Sequence, residues 1–125
     1  MPKQRDPELA THRSDWALII RCVRILVDYQ GREVRLTDER LAHVLEHPEL
    51  RNLEAEIEQA VRHPELVRRS RSDDSVFLNY AFHPQTPVGS KWLCVVVKYE
   101  QNDAFVVTAY LTGQPKAGET LWPIK

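Results

Sequence analysis

Arg40, His43 and His47 stand at intervals of three and four in the segment Arg40-Leu-Ala-His43-Val-Leu-Glu46-His47. On a continuous helix, at 100° per residue, their side chains fall within about 60° of one another. Leu41, Val44 and Leu45 form the adjoining apolar stripe, which sets the Arg/His group at the rim of the buried face. Two imidazoles and a guanidinium are equipment for phosphodiester chemistry. One His takes a proton, the other gives one, and Arg holds the phosphate. The plain alternative is a pair of partly buried histidines satisfied by backbone carbonyls. The same stretch also spells HxxEH, a zinc-hydrolase spacing. Pro48 disturbs helical geometry at the second His, and His63, a conceivable third ligand, reads as a surface residue at a helix start. No metal and no cofactor are therefore expected.

Lys98, Thr108 and Tyr110 are the polar residues of two otherwise apolar runs, residues 91–100 and 104–112. If a three-residue turn (Gln101, Asn102, Asp103) joins them, Val96 faces Thr108 and the three polar side chains share one sheet face, an arrangement suited to an anion. A two-residue turn would move Lys98 to the other face. Lys98 can equally snorkel from a strand end, and Tyr110 can be a core residue with a wet hydroxyl. Arg68, Arg69 and Arg71 suit either RNA phosphates or a solvated strand edge. Tyr80, Phe82 and Trp92 suit either base stacking or the core.

The elements that must position these residues follow from local pattern. Residues 16–27 read as a strand rich in β-branched side chains, interrupted by Arg21 and Arg24. Asp28-Tyr-Gln-Gly31 is a turn and residues 32–36 a returning strand, hence a hairpin. Thr37 is a helix N-cap followed by Asp38 and Glu39, and Pro48 predicts a stop or kink at His47. Pro48 and Glu49 open a second helix, with Leu50, Leu53, Ile57 and Val61 facing inward. Residues 67–71, 76–82, 91–100 and 104–112 read as strands, 83–90 as a loop because of Pro84, Pro87 and Gly89, and 113–125 as an irregular tail pinned by Leu121 and Trp122. The expected fold is α+β: an N-terminal β-hairpin and two helices packed on a C-terminal antiparallel meander of about four strands. A flexible arm over 1–15, one domain over 16–122 and a tail over 123–125 are expected.

A chain of 125 residues suffices for one domain and excludes the larger barrel and dinucleotide-binding folds. With 42% hydrophobic residues it can build one core, and a net charge of −1 offers no bulk attraction to nucleic acid. The charges crowd into residues 1–75, which leaves the last 50 residues to supply most of the core. The opening Met-Pro-Lys-Gln-Arg-Asp lacks the apolar stretch of a secretory leader, and no apolar run reaches the ~18 residues of a membrane span. A cytoplasmic, membrane-free protein with two buried thiols, Cys22 and Cys94, is expected.

One succession has a further bearing: Val34-Arg-Leu-Thr37, Arg40-x-x-His43, His47-Pro48-Glu49, an apolar helix, Pro64-Glu65-x-Val67, an aromatic strand through Tyr80, Leu93-Cys-Val-Val-Val-Lys98, and Val107-Thr108-Ala109-Tyr110. In order and spacing it resembles the phage-associated barnase–EndoU–colicin–RelE-like nuclease domains, over roughly residues 16–122. The resemblance implies a small α+β domain and a metal-independent endoribonuclease, toxin-like or phage-effector-like, with RNA as substrate and an antitoxin or a second copy as partner. It implies Arg40, His43 and His47 as the catalytic group, with Lys98, Thr108 and Tyr110 on the phosphate. Glu46 departs from the pattern, where a basic residue often precedes the second His. A catalytically inactive module of the same fold, binding RNA, a small ligand or a protein, is the alternative expectation.

Overall fold

A computed structural model describes residues 23–123 of the chain. The expected arm over 1–15, the start of the first strand with Arg21 and Cys22, and residues 124–125 lie outside the described residues. The elements run β1 (Val23–Val27), β2 (Glu33–Thr37), α1 (Asp38–Val44), a 3-10 turn (Pro48–Leu50), α2 (Glu54–Arg62), β3 (Leu66–Arg69), β4 (Val76–Thr86), β5 (Gly89–Glu100), β6 (Asp103–Thr112) and β7 (Glu119–Trp122). The fold is α+β, but the hairpin and the meander are not separate pieces. Seven strands form one sheet in the order β1-β2-β6-β5-β4-β3-β7, and it is mixed because β2 runs parallel to β6. The β2–β6 junction rests on the bridge between Arg35 and Phe105, a non-local pairing without a local sequence signal.

Local chemistry explains most of the elements. The Asp28 carboxylate accepts from the backbone N–H groups of Gln30 and Arg32 at 2.9 and 2.8 Å, which folds the β1–β2 turn, and Gly31 supplies its φ of 87°. Thr37 caps α1 by accepting from the Arg40 N–H at 3.0 Å. The helix then ends at Val44, earlier than expected. The N–H groups of Glu46 and His47 reach back only three residues, at 3.3 Å each, so the chain tightens as it leaves the helix. His47 is extended (ψ 117°), as the following Pro48 requires. The expected second helix is likewise split into the 3-10 turn and α2, although Leu50, Ile57 and Val61 are buried as the spacing predicts.

Three connections differ from expectation. Residues 83–90 do not form a loop. Instead, β4 and β5 extend into a ribbon closed by Thr86 and Gly89, whose hydroxyl–carbonyl bond is 2.6 Å. Pro84 is accommodated by a register shift between His83 and Thr86. The β5–β6 turn has two residues, Gln101 and Asn102, with Asn102 at φ 68°, so Glu100 pairs with Asp103. A bulge between Val96 and Val97 then restores the pairing of Val96 with Thr108. Lys98 therefore stays on the face of Thr108 and Tyr110, by a different route from the expected three-residue turn. Finally, the tail is not irregular throughout, because residues 119–122 form edge strand β7 beside β3.

The two faces of the sheet are covered differently. On the first, α1, the 3-10 turn and α2 pack Leu41, Val44, Leu50, Ile57 and Val61 against Leu93, Val95, Val97, Val106 and Ala109. The β1–β2 turn closes the far end of this face. There the Tyr99 hydroxyl donates to Asp28 at 2.7 Å, Arg32 stacks on Tyr99, and Tyr29 meets Trp122 of β7 with ring centroids 5.9 Å apart. On the second face, Leu78, Tyr80 and Cys94 are buried with Leu66, Trp92, Val96 and Tyr110 around them, and no helix among the described residues covers them. Residues 113–118 cross this face on their way from β6 to β7. The Lys116 N–H donates to the Tyr80 hydroxyl at 3.0 Å, and Arg68 donates to the Lys116 carbonyl at 2.7 Å.

Candidate functional site

Arg40 and His43 project from α1 one turn apart, and both are exposed. With Thr37 and Glu39 they line a polar cleft of about 330 Å³. Arg40 also borders a smaller hollow of about 170 Å³, with Arg35, Thr37, Phe105 and Val106. Arg35 and Phe105, the one bridged pair of β2 and β6, form one wall of this hollow beside the helix start. The expected grouping of three is not formed on one helical face. His47 lies past the end of α1, exposed, at the entry to the 3-10 turn, and does not line the Arg40–His43 cleft. The reason is the proline: it forces His47 out of helical geometry, which ends the angular argument at Val44. Glu46 does approach the site, with its carboxylate 3.8 Å from His43 Nδ1. Both side chains are mostly exposed, so this contact is weak.

Lys98, Thr108 and Tyr110 share a sheet face but have separate environments. The Lys98 ammonium lies 3.3 Å from Asp73 in the β3–β4 connection. Asp73 is tightly held: the Ser75 hydroxyl and N–H donate to it at 2.6 and 2.9 Å, and these bonds together with Lys98 lower its carboxyl to about 2. Lys98 is thus neutralised by a carboxylate that stays ionised. Tyr110 pairs with Cys94 across β5–β6, and its hydroxyl is buried without a hydrogen-bond partner. Burial raises its pKa well above the ordinary tyrosine range. The same burial pushes the Cys94 thiol up to about 11, so this cysteine is held as the unreactive neutral form. Neither cleft bordered by Arg40 is lined by Lys98, Thr108 or Tyr110.

Of the basic cluster, Arg68 and Arg69 lie on β3 and are used internally, whereas Arg71 lies beyond the strand and is exposed. Arg68 ties down the Lys116 carbonyl, and Arg69 contacts Glu119 at 3.1 Å while its guanidinium lies 5.6 Å from the Phe77 ring centre. Because β7 lies outside β3, this is not the sheet edge that the arginine run suggests. Of the aromatic trio, Tyr80 is fully buried, whereas Phe82 is exposed and packs on Trp92 with centroids 5.3 Å apart. Two features escape a linear reading. One is Arg35, whose Nε and Nη2 reach Asp103 at 2.9 and 2.7 Å beside the Arg40 hollow. Its outward position between Val34 and Leu36 is visible in sequence, but its partner depends on the β2–β6 bridge. The other is the Asp28–Arg32–Tyr99 cluster, adjoining a cleft of about 460 Å³ lined by Arg32, Arg35, Tyr99 and Asp103 among others. The Asp28 side chain is fully buried there, and its i,i+4 spacing to Arg32 is the signal that could have marked it.

Among the described residues, no three His, Cys, Asp or Glu side chains are placed to hold a metal ion, and no helix is long and apolar enough to cross a membrane. No protein-family model, no curated protein and no solved structure matches the chain.

Proposed function

We propose that the domain is a metal-independent endoribonuclease of the barnase–EndoU–colicin–RelE-like kind, working at the α1 cleft. The observation that carries this reading is that Arg40 and His43 line one polar cleft at the helix start. In the proposed reaction His43 removes the proton of an RNA 2′-hydroxyl, which attacks the adjacent phosphorus. The bond to the 5′-oxygen breaks and the leaving oxygen takes a proton from an acid; His47, which lies past the end of α1 and outside the cleft lining, is proposed for that role on a substrate that extends towards the 3-10 turn. Arg40 holds the phosphate oxygens as charge builds. RNA is the proposed partner, with Lys98, Thr108 and Tyr110, which lie outside this cleft, as proposed contacts for phosphates beyond it. The test is cleavage of a mixed labelled RNA pool in EDTA by the wild type and by His43→Ala. Loss of a general base costs about 10²–10⁴-fold, so cleavage that vanishes in the variant supports the reading. Cleavage that survives places the chemistry elsewhere.

A second reading has its own observations. Glu46 faces His43, and Lys98 is already paired with Asp73. Both reduce the positive potential that a phosphate would meet. A catalytically inactive module of the same fold, binding RNA, a small ligand or a protein partner, accounts for them. It predicts no cleavage by either the wild type or His43→Ala.

A further inference from the structure

The second sheet face is closed by backbone rather than by side chains. Along residues 113–118 only Pro115 and Gly118 are part-buried, and the other four are exposed. What holds the segment is a short set of polar contacts: Lys116 N–H to Tyr80, Arg68 to the Lys116 carbonyl, the Thr112 hydroxyl to the Gln114 carbonyl, and Arg69 to Glu119 just beyond. Lys116 Nζ adds a contact over the Tyr110 ring, 5.4 Å from its centre. At Gly118 the strap touches the body so closely that a Cβ would lie 2.5 Å from the Arg69 carbonyl oxygen. The strand it leads into has four residues and pairs with β3 through a register shift. Beneath it lie Tyr80 and Cys94, both without solvent contact, and the unpartnered hydroxyl of Tyr110. A segment with little apolar burial over a fully buried floor is what opens locally at low cost while the body stays folded.

We propose that residues 113–118 are a gate, which swings off the sheet as a unit to uncover the floor formed by Tyr80, Cys94 and Tyr110 with Trp92 at its edge. Opening leaves the helix-covered core untouched, because the strap contributes nothing to it. The gate stands whether or not the α1 cleft cuts RNA. Cys94 reports on it, since the thiol is fully buried in the floor that the strap crosses and meets a reagent once that floor is uncovered. In a Cys22→Ser background, labelling by an aromatic disulfide reagent is followed against urea concentration. The expected result is labelling in the native range whose rate depends only shallowly on urea, because little surface is exposed. Gly118→Ala, which pushes the strap outward, speeds it by about tenfold or more with unchanged helix and strand content by circular dichroism. Tyr80→Phe, which removes one latch and keeps the ring, speeds it less. Labelling that tracks global unfolding in both variants and the wild type, with the full urea dependence of unfolding, overturns the proposal.

Discussion

The helix-covered face and the strapped face of the one sheet are built from similar strands and sealed by different forces. On the first, α1, α2 and the 3-10 turn bring in Leu41, Val44, Leu50, Ile57 and Val61, all 5% exposed or less. On the second, a strap with few buried side chains is hydrogen-bonded across Tyr80 and Arg68. Burial of apolar area is non-directional and sums over many contacts, so the first seal is thick and tolerant of small shifts. The second depends on a few directional bonds, each with a small net contribution. The candidate catalytic helix sits on the robust seal. Of the proposed phosphate ligands, Tyr110 sits under the other one and Lys98 and Thr108 share its face.

The largest test of this contrast is Ile57→Ala. It removes a side chain that is 1% exposed in the helix face, and a loss of about 3–4 kcal/mol in urea denaturation is expected. A loss below about 1 kcal/mol would put the two seals on a par and break the comparison. Next comes Asp28→Ala at the far end of the same face. It leaves the Tyr99 hydroxyl and the Arg32 N–H groups without their shared acceptor, and a cost of about 2–3 kcal/mol is expected. An effect as small as that of an exposed surface change would show that the β1–β2 turn does not close this end.

Tyrosine ionisation sharpens the comparison within each face. The four tyrosines, Tyr29, Tyr80, Tyr99 and Tyr110, are all held above the ordinary value, in each case chiefly by burial. A raised folded pKa means that this contribution to stability is complete below about pH 10 and is lost as pH rises above it. Tyr29 and Tyr99 belong to the first face and Tyr80 and Tyr110 to the second. Absorbance titration of Tyr→Phe variants is expected to show one tyrosine of each face, Tyr29 and Tyr80, ionising before its neighbour, Tyr99 or Tyr110, which burial holds higher. Ionisation of all four in one step with unfolding would remove the distinction.

The smallest effect lies at acid pH. Asp73 is held near 2, most strongly by Ser75 and then by Lys98. A lowered folded pKa contributes stability above the unfolded carboxylate value, which is lost as pH falls from about 4 towards 2. Carboxyl NMR titration should therefore show Ser75→Ala raising the Asp73 pKa more than Lys98→Met does. The reverse order would make the Lys98 pair the main restraint on that carboxylate.

Much of this molecule is decided within short stretches of chain. The Thr37 cap, the Asp28–Gly31 turn, the inward positions of Leu50, Ile57 and Val61, and the central place of β5 and β6 all follow from contacts a few residues apart or from runs apolar on both faces. So does the joint presence of Arg40 and His43 on one helix turn, which is periodicity alone. What only the tertiary structure decides involves partners distant in sequence. The single Arg35–Phe105 bridge merges hairpin and meander into one sheet, and the bulge at Val96 keeps Lys98 on the face of Thr108 and Tyr110 despite a shorter turn. The ion pair to Asp73 neutralises Lys98, and the path of residues 113–118 turns Tyr110 from a surface hydroxyl into a covered one. Such pairings cost loop-closure entropy that only the assembled core repays, so no local pattern announces them.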